Sequence, residues 1–420
     1  MEYFENSQEP EIAVLIGVDF GLYDAETSID ELEELARTAG AVVAAKMLQK
    51  RDKPDTATYI GSGRLQEVKE FAEANDVDLL IFDGELTPSQ QRNIENETDI
   101  RVVDRTTLIL DIFAARARSG EGKIQVELAQ LKYSLPRLGG KGTELSRLGG
   151  GIGTRGPGES KLEMDRRRIR ERITLLRREL QELENQRMLR RKAREKNAIP
   201  VVALVGYTNV GKSTLLNRVS GADVYVQDRL FATLDATSRN VQLPDGGEYL
   251  LVDTVGFIRK LPTELVEAFH STLEEAALAD LLIIVNDYSS PDMLPQYEVV
   301  CQVLEQLGAT SQPRIHVLNK CDAAPEEEFD PLPNAIRISA KTGEGLESLT
   351  AAIAAALRQG ERKVEVLVPF ADYNVVSEIR AQGRILNEDY TDNGTQVSCM
   401  LDEAAYGRLL SRYPHIFDPQ

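Results

Sequence analysis

The stretch VVALVGYTNVGKST, residues 201–214, decides the fold of the central part of the chain. An apolar run leads into a glycine-containing loop, and the helical pattern TLLNRVS follows. Glycines let successive backbone N–H groups curl around a phosphate, and the start of the following helix adds partial positive charge. In such a loop the lysine reaches the β- and γ-phosphates, and the serine hydroxyl ligates Mg²⁺. The predicted phosphate loop comprises Gly206, Tyr207, Thr208, Asn209, Val210, Gly211, Lys212 and Ser213.

Three further motifs lie downstream, each at the end of a predicted strand. Asp253-Thr254-Val255-Gly256 ends EYLLVD, where a carboxylate holds Mg²⁺ through water and a glycine amide senses the γ-phosphate. Asn319-Lys320-Cys321-Asp322 ends RIHVLN, and its carboxylate accepts hydrogen bonds from guanine N1–H and the 2-amino group, which adenine cannot supply. Ser339-Ala340-Lys341 follows IRI and closes over the base. Four motifs in this order predict a nucleotide switch domain selective for GTP.

The segment Phe231-Ala232-Thr233-Leu234-Asp235 lies between the first two motifs. This is the position of a switch whose threonine ligates Mg²⁺ only when the γ-phosphate is present, and by position Thr233 and Thr237 both qualify. The residue after Gly256 is Phe257, where many such hydrolases carry a glutamine that orients the attacking water. Phenylalanine has no donor or acceptor for that task. We therefore expect slow intrinsic turnover, accelerated by an ordered switch, a cation or a partner.

Composition limits the class of protein. A length of 420 residues predicts roughly three domains, and 42% hydrophobic with 28% charged residues is typical of folded chains. Three widely spaced cysteines, Cys301, Cys321 and Cys399, argue against a disulfide framework and favour a reducing compartment. The acidic start lacks a signal-peptide pattern, and no apolar run approaches a bilayer-spanning length. We expect a cytoplasmic protein without a transmembrane segment.

Charge is distributed unevenly along the chain. The formal net charge is −19, yet residues 137–200 contain 18 Lys and Arg against 9 Asp and Glu. A concentrated basic segment on an acidic protein indicates either a polyanion-binding face or a solvated pair of charged helices. The glycine-dense stretch RLGGKGTELSRLGGGIGTRGPGESK begins at Arg137 and predicts an irregular loop, which is a linker or a phosphate-binding loop. Its interleaved basic residues are Lys141, Arg147, Arg155 and Lys161.

A long helix is predicted over Met164–Lys196, where apolar residues at 169, 173, 176, 180 and 183 form one stripe with arginine-rich flanks. A break near Glu184–Gln186 would fold this helix into a hairpin. The arginines Arg166, Arg167 and Arg168 stand near its start.

The remaining segments alternate strands and helices. AVLIGV (13–18), AVVAAK (41–46), DLLIF (78–82) and IRVVD (100–104) are predicted strands of a parallel sheet. Ser28 and Asp30 are expected to precede the first helix. In the last segment we predict a strand KVEVLVP, a helix DYNVVSEIRAQG, a hairpin at Asp392-Asn393-Gly394 and a closing helix.

The predicted fold class is α/β. It comprises an N-terminal α/β domain (1–125), a glycine-rich loop with a basic helical linker (126–198), a P-loop GTPase domain with a doubly wound, mostly parallel sheet (199–360), and a small α+β domain (361–420).

Several motifs together resemble the HflX family of translational GTPases. Besides the nucleotide motifs they are GGGIGTRGPGE, FATLDAT, YIGSGRLQEV (59–68), DGELTPSQQRNIE (83–95) and DRTTLILDIFAARARSGEGKIQVELAQLKY (104–133). The resemblance extends from about residue 11 to 360, and it favours Thr233 over Thr237 as the switch threonine. NDYSS (286–290) departs from the Asp-Ala-Ser of other members.

The resemblance implies a GTP hydrolase that binds the 50S subunit and, with GTP and Mg²⁺, splits or recycles stalled 70S ribosomes. It implies that the N-terminal domain and the linker contact ribosomal RNA, and that Lys212, Thr233 and Gly256 serve hydrolysis. DNA is not expected as a partner, and we expect a monomer. The alternative is a signalling or assembly switch whose partner is a protein and whose residues 165–196 form an intermolecular coiled coil. The candidate RNA contacts are Lys141, Arg147, Arg155, Lys161, Arg166, Arg167 and Arg168.

Overall fold

The structure is a computed structural model. It describes residues 10–21, 24–138, 157–196, 199–221, 230–231, 237–243, 247–260, 265, 276–324, 332–358, 362–401 and 403–417. Three sheets organise these residues into an N-terminal, a central and a C-terminal unit. The domain limits given above stay predictions.

The N-terminal unit contains a four-stranded parallel sheet in the order β2-β1-β3-β4. Apolar side chains alternate along the strands, so Leu15 and Ile81 pack on one face while Ile16 and Phe82 pack on the other. Helices therefore cover both faces, as a parallel sheet requires. In chain order the elements are β1 (Ile12–Asp19), α1 (Ala25–Ala39), β2 (Val42–Lys50), α2 (Ser62–Ala74), β3 (Leu79–Phe82), α3 (Pro88–Thr98), β4 (Arg101–Asp104) and α4 (Arg105–Arg116).

The start of α1 differs from the prediction. Asp24 caps this helix by accepting hydrogen bonds from the amides of Glu26 and Thr27. Ser28 and Asp30, expected to precede the helix, lie inside it. Ser28 is buried and donates its hydroxyl to Asp83, 2.7 Å away. Its role is tertiary rather than local.

Two helices form the basic part of the chain: α5 (Gly120–Ser134), continued by a 3₁₀ turn at Leu135–Arg137, and α6 (Pro157–Lys196). The predicted break near 184–186 is wrong, because α6 continues through all 40 of its residues. No glycine or proline interrupts it after Gly158, and Glu and Gln are good helix formers. Residues 157–161, expected to belong to the loop, are helical, with Pro157 at a position where proline starts helices well.

The hairpin partner of α6 is α5. Ile173, Leu176 and Leu180 of α6 pack on Leu128 of α5. Arg172 of α6 donates two hydrogen bonds to Glu127 of α5, at 2.7 and 2.8 Å. The predicted apolar stripe is therefore real and faces the preceding helix.

The central unit contains a six-stranded sheet in the order β10-β9-β8-β5-β7-β6. β6 runs antiparallel to β7 and the other pairs are parallel, which confirms the predicted mostly parallel sheet. The elements are β5 (Val201–Gly206), α7 (Lys212–Ser220), β6 (Thr237–Gln242), β7 (Glu248–Asp253), β8 (Leu281–Asp287), α8 (Met293–Gln306), β9 (Arg314–Asn319), β10 (Ile336–Arg337) and α9 (Leu346–Leu357).

The C-terminal unit is a three-stranded antiparallel sheet in the order β11-β13-β12, with helices on one face. Its predicted hairpin is present, with the turn at Asp392 and Asn393. The elements are β11 (Arg362–Val368), α10 (Asn374–Gln382), β12 (Arg384–Thr391), β13 (Gly394–Leu401), α11 (Glu403–Arg412) and α12 (Pro414–Phe417). Among the described helices, none has the length and apolarity needed to cross a bilayer.

Neighbouring leucines test the packing of α6 on α5. Leu176 is fully buried, whereas the adjacent Leu175 is 46% exposed. We expect Leu176→Ala to lower the free energy of unfolding by about 2–4 kcal/mol, because a buried leucine leaves a cavity. Leu175→Ala serves as the matched control and should cost well under about 1 kcal/mol. Urea denaturation measures both; equal losses for the two variants would contradict the packing described here.

Candidate nucleotide-binding site

The phosphate loop connects the end of β5 to the start of α7. Gly211 has φ +93°, and a Cβ there would lie 2.4 Å from Nδ2 of Asn319. Only glycine fits this position, both for its backbone conformation and for the space. Asn209 also has positive φ, at +61°. The loop thus takes the conformation that turns backbone amides toward a common point.

Lys212 lies buried beneath this loop. Its Nζ donates hydrogen bonds to the carbonyl oxygens of Gly206, at 3.1 Å, and Tyr207, at 2.7 Å. Burial lowers the pKa of Lys212 to about 8, and the carboxylate of Asp253 offsets part of that shift. A phosphate beside the amine would favour its charged form. The lysine is therefore held in place for an anion.

Gly256 approaches the same loop. A Cβ on Gly256 would lie 2.9 Å from Cα of Thr208 and 3.1 Å from Nζ of Lys212. A glycine is needed for this approach, which brings the backbone after β7 beside the phosphate-binding lysine.

A hydroxyl and a carboxylate meet between α7 and β7. Ser213 Oγ donates to Oδ2 of Asp253 at 2.6 Å, and Asp253 is fully buried. Thr254, also fully buried, donates its hydroxyl to the carbonyl of Leu204 at 2.7 Å. The first pair presents hard oxygen donors, the type that Mg²⁺ prefers. These residues fit a divalent cation.

Phe257 serves the site through its backbone. Its carbonyl accepts a hydrogen bond from the amide of Thr208 at 2.8 Å, and its own amide donates to Gly206 at 3.1 Å. The side chain is buried. The ring therefore packs in the core and offers nothing to a water molecule.

The predicted base-recognition motifs come together around Asn319. Its Nδ2 donates to the carbonyl of Val210 at 2.7 Å, and its Oδ1 accepts from the amide of Ala340 at 2.9 Å. Asp322 accepts a hydrogen bond from Ser339 Oγ at 2.6 Å, which lowers the pKa of that carboxyl. One amide side chain thus ties three motifs together, and one hydroxyl orients the carboxylate predicted to select guanine.

Some of the remaining residues of the predicted motifs lie around this site, and others lie outside the described residues. Lys320 pairs with Asp287 at 2.5 Å, Cys321 is half-buried, and Lys341 is exposed. Phe231 is buried, and Thr237 begins β6. Ala232, Thr233, Leu234 and Asp235 lie outside the described residues, so the assignment of Thr233 stays a prediction.

A feature that sequence reasoning missed links this site to the N-terminal unit. We call it the Arg105 cluster, and its members are Ser28, Glu31, Asp83, Arg105, Tyr207 and Lys260.

The guanidinium of Arg105 lies at the centre of the cluster and is 2% exposed. It donates to Asp83 at 2.7 Å and to Glu31. Burial alone would lower the pKa of Arg105, but these two carboxylates hold that pKa above its ordinary value. The charge is therefore compensated within the N-terminal unit.

The other members reach this centre from the nucleotide site. Tyr207 of the phosphate loop donates a hydrogen bond from its hydroxyl to Glu31. The same hydroxyl oxygen accepts a hydrogen bond from the amide of Arg259 at 2.7 Å. Lys260, four residues beyond Gly256, donates to Asp83 at 2.6 Å and to Ser28 at 3.0 Å. Nearby, Phe231 packs edge-on against Phe113 of α4 at 4.6 Å. Three segments of the nucleotide site thus contact the N-terminal unit.

The predicted basic contacts are not equivalent. Lys141, Arg147 and Arg155 lie outside the described residues, and Lys161 falls in the first turns of α6, where only the backbone is described.

Arg166 donates to the carbonyl of Leu138 at 2.7 Å, and so joins the two ends of the glycine-rich segment. The side chains of Arg167 and Arg168 are 80% and 78% exposed. Arg166 is thereby engaged within the protein, while its two neighbours face solvent.

Comparison with known proteins gives three family-model matches. They are a GTP-binding GTPase N-terminal region over residues 26–114, a GTP-binding GTPase middle region over 116–194, and a 50S ribosome-binding GTPase domain over 201–320.

The similar proteins include several that carry the name GTPase HflX. One, from Caldanaerobacter subterraneus subsp. tengcongensis, is 51% identical over 97% of this chain and 96% of its own. Another, from Escherichia coli K12, is 43% identical over 83% and 84%. Among solved structures, a GTP-binding protein from Sulfolobus solfataricus in complex with GDP is 26% identical, covers 83% of this chain and 99% of its own, and has a TM-score of 0.44.

Base selection by Asp322 is testable through a reciprocal change. In Asp322→Asn an amide replaces the acceptor of two guanine hydrogen bonds, so we expect GDP affinity to fall at least about a hundredfold. Xanthosine diphosphate carries a carbonyl where guanine has its amino group, and the amide can donate to it, so its affinity should rise. Calorimetry with both nucleotides checks this, and Ser339→Ala is the control for lost orientation. A fall in both affinities would contradict the assignment.

Proposed function

The chain belongs to the HflX family of GTPases, and we propose that it binds the large ribosomal subunit and uses the GTP state to split or recycle stalled ribosomes. It is a GTP hydrolase. The observation that carries the proposal is the Arg105 cluster, because it joins the nucleotide site to the unit that leads into the basic helices. The 50S ribosome-binding GTPase model that matches the central unit supports the same partner.

Within this proposal each site residue has a role. Lys212 stabilises charge on the β- and γ-phosphates, and Gly256 donates its amide to the γ-phosphate. Ser213 and Thr233 would hold Mg²⁺ directly, with Asp253 acting through water. The bound ion supplies charge neutralisation on the phosphate oxygens. Because Phe257 cannot orient water, ribosome binding is proposed to complete the site.

The Arg105 cluster gives the route by which nucleotide affects the N-terminal unit. A γ-phosphate that accepts a hydrogen bond from the Gly256 amide displaces the segment from Gly256 to Lys260. Lys260 holds Asp83, and Tyr207 holds Glu31. Ordering of the switch segments therefore shifts the population of positions of the N-terminal unit. The arginines of α6 contact ribosomal RNA in this scheme, which places the protein in the cytoplasm.

The structure weighs against the alternative of a coiled coil with a protein partner. Such a coiled coil needs the apolar stripe of residues 165–196 to be free. Ile173, Leu176 and Leu180 are instead buried against α5. We therefore expect a monomer that acts on the ribosome.

Steady-state GTP hydrolysis with and without purified 50S subunits, at two salt concentrations, tests the proposal. We expect strong stimulation that fades with salt, because RNA binding releases counterions. Arg167→Glu/Arg168→Glu should weaken sedimentation with 50S at least about tenfold and leave GDP affinity unchanged. Lys212→Ala should lose nucleotide binding.

A variant with equal charge change, Arg239→Glu/Lys363→Glu, is the control for net charge. Both side chains are exposed and lie outside α6 and the N-terminal unit. Turnover that the 50S subunit does not stimulate, or equal loss of sedimentation in both double variants, would contradict the proposal.

Substitution of Lys260 tests the proposed coupling between the nucleotide site and the N-terminal unit. Hydrogen exchange of residues 25–39 should differ between the GDP state and the state with a non-hydrolysable GTP analogue. Lys260→Met should abolish this difference, because the link from Gly256 to Asp83 is lost, while GDP affinity stays within about threefold. Lys46→Met is the matched control, since Lys46 also pairs with α1, through Asp30 and Glu33, and its ion pairs in the described part of the chain join it to α1 and not to the nucleotide site. A difference that persists in Lys260→Met would show that coupling runs elsewhere.

A further inference from the structure

The C-terminal unit presents a group of exposed aromatic side chains, which we call the Phe370 patch. Phe370, Tyr373 and Tyr390 are 56%, 42% and 68% exposed. At about 200 Å² per aromatic side chain, these fractions leave roughly 300 Å² of ring surface in water. Single exposed apolar residues are ordinary, but an exposed aromatic group of this size reaches that of the largest apolar patch on a typical monomer, which is often functional.

The three residues are brought together by the hairpin of β12 and β13. Tyr390 pairs with Thr395, and Thr395 pairs with Val368, two residues before Phe370. The hydroxyls of Tyr373 and Tyr390 lie 3.5 Å apart. Glycine at Gly394 permits this arrangement, because a Cβ there would lie 2.3 Å from the carbonyl oxygen of Val368. The patch is thus fixed by the fold.

The surroundings of the patch are acidic. Glu388 accepts a hydrogen bond from Tyr390 at 3.2 Å, and Asp372 stands between Phe370 and Tyr373 in the chain. Asp392 lies at the hairpin turn two residues after Tyr390 and is exposed. Among the described residues, Arg380 pairs with Glu388 at 2.8 Å, and His415 lies 3.2 Å from Asp372.

We propose that the Phe370 patch docks an Arg- and Lys-rich segment of a protein of the large ribosomal subunit; this inference rests on the proposed function. Guanidinium groups stack on tyrosine faces and pair with carboxylates, so they match both features of the patch. The same unit shows this chemistry internally, with Arg362 3.8 Å from the ring centre of Tyr406. RNA does not fit, because its phosphates would meet the acidic rim.

With this docking, the chain would contact the 50S subunit through one positively charged surface and one negatively charged surface. The exposed arginines of α6 suit ribosomal RNA, whereas the Phe370 patch suits a basic protein. The C-terminal unit would then anchor the chain beside its RNA contact without competing for it.

Site-specific cross-linking of the full chain tests the inference. Phe370 is replaced by p-benzoylphenylalanine, and the protein is irradiated with purified 50S subunits. We expect an RNase-resistant cross-link to an Arg- and Lys-rich protein segment, identified by mass spectrometry. Adding Tyr373→Ala and Tyr390→Ala should lower its yield at least fivefold. Leu367, 45% exposed on a strand whose neighbours Val366 and Val368 are buried, is the control position for the photoreactive group.

Each other outcome is decisive. A cross-link to RNA, an equal yield from position 367, or no cross-link while the chain sediments with 50S would overturn the inference and leave the proposed function intact. Failure of the chain to sediment with 50S would overturn the proposed function. In that case a nona-arginine peptide, binding at least tenfold more weakly to Tyr373→Ala/Tyr390→Ala than to the parent, would still support the patch as a site for basic segments. Equal binding would end that interpretation too.

Discussion

The burial of one positive charge constrains the relation between the nucleotide site and the N-terminal unit. Removing one partner of a buried ion pair costs about 3–5 kcal/mol, so Arg105 requires both Asp83 and Glu31. Each carboxylate has further oxygen lone pairs to satisfy, and Lys260 and Tyr207 satisfy them from the nucleotide site. The partners required by the buried charge of Arg105, at the start of α4, thus also hold the phosphate loop.

Local geometry explains which parts of the site the sequence could predict. Gly206, Gly211 and Gly256 stand where backbone must approach another group closely, and the chemistry of a phosphate loop requires them at these spacings. The motifs also sit at strand ends, which apolar runs identify. The parallel sheets, the hairpin at Asp392 and the apolar stripe of α6 follow from periodicity in the same way.

Long-range partnerships explain what the sequence could not predict. Tyr207 and Glu31 are 176 residues apart, and neither carries a local sign that it seeks the other. The same holds for Arg166, whose basic surroundings favoured an RNA contact, although its side chain donates to the carbonyl of Leu138, at the start of the glycine-rich segment. The prediction of a break near residue 184 was wrong for a local reason. Helix propensity persists through polar residues even where the apolar periodicity ends.

The length of α6 would amplify a small rotation at its end into a large displacement at the other end. Its 40 residues span about 60 Å, and its end is joined by a short connection to β5, the strand that leads into the phosphate loop. A rotation of about 10° at that end displaces the other by about 10 Å. The packing of Leu176 on α5 makes the two helices move together, so the displacement reaches the glycine-rich segment held by Arg166. In the proposed scheme, two discrete arrangements of the Arg105 cluster would let a sub-ångström adjustment by a γ-phosphate move the distant end of α6.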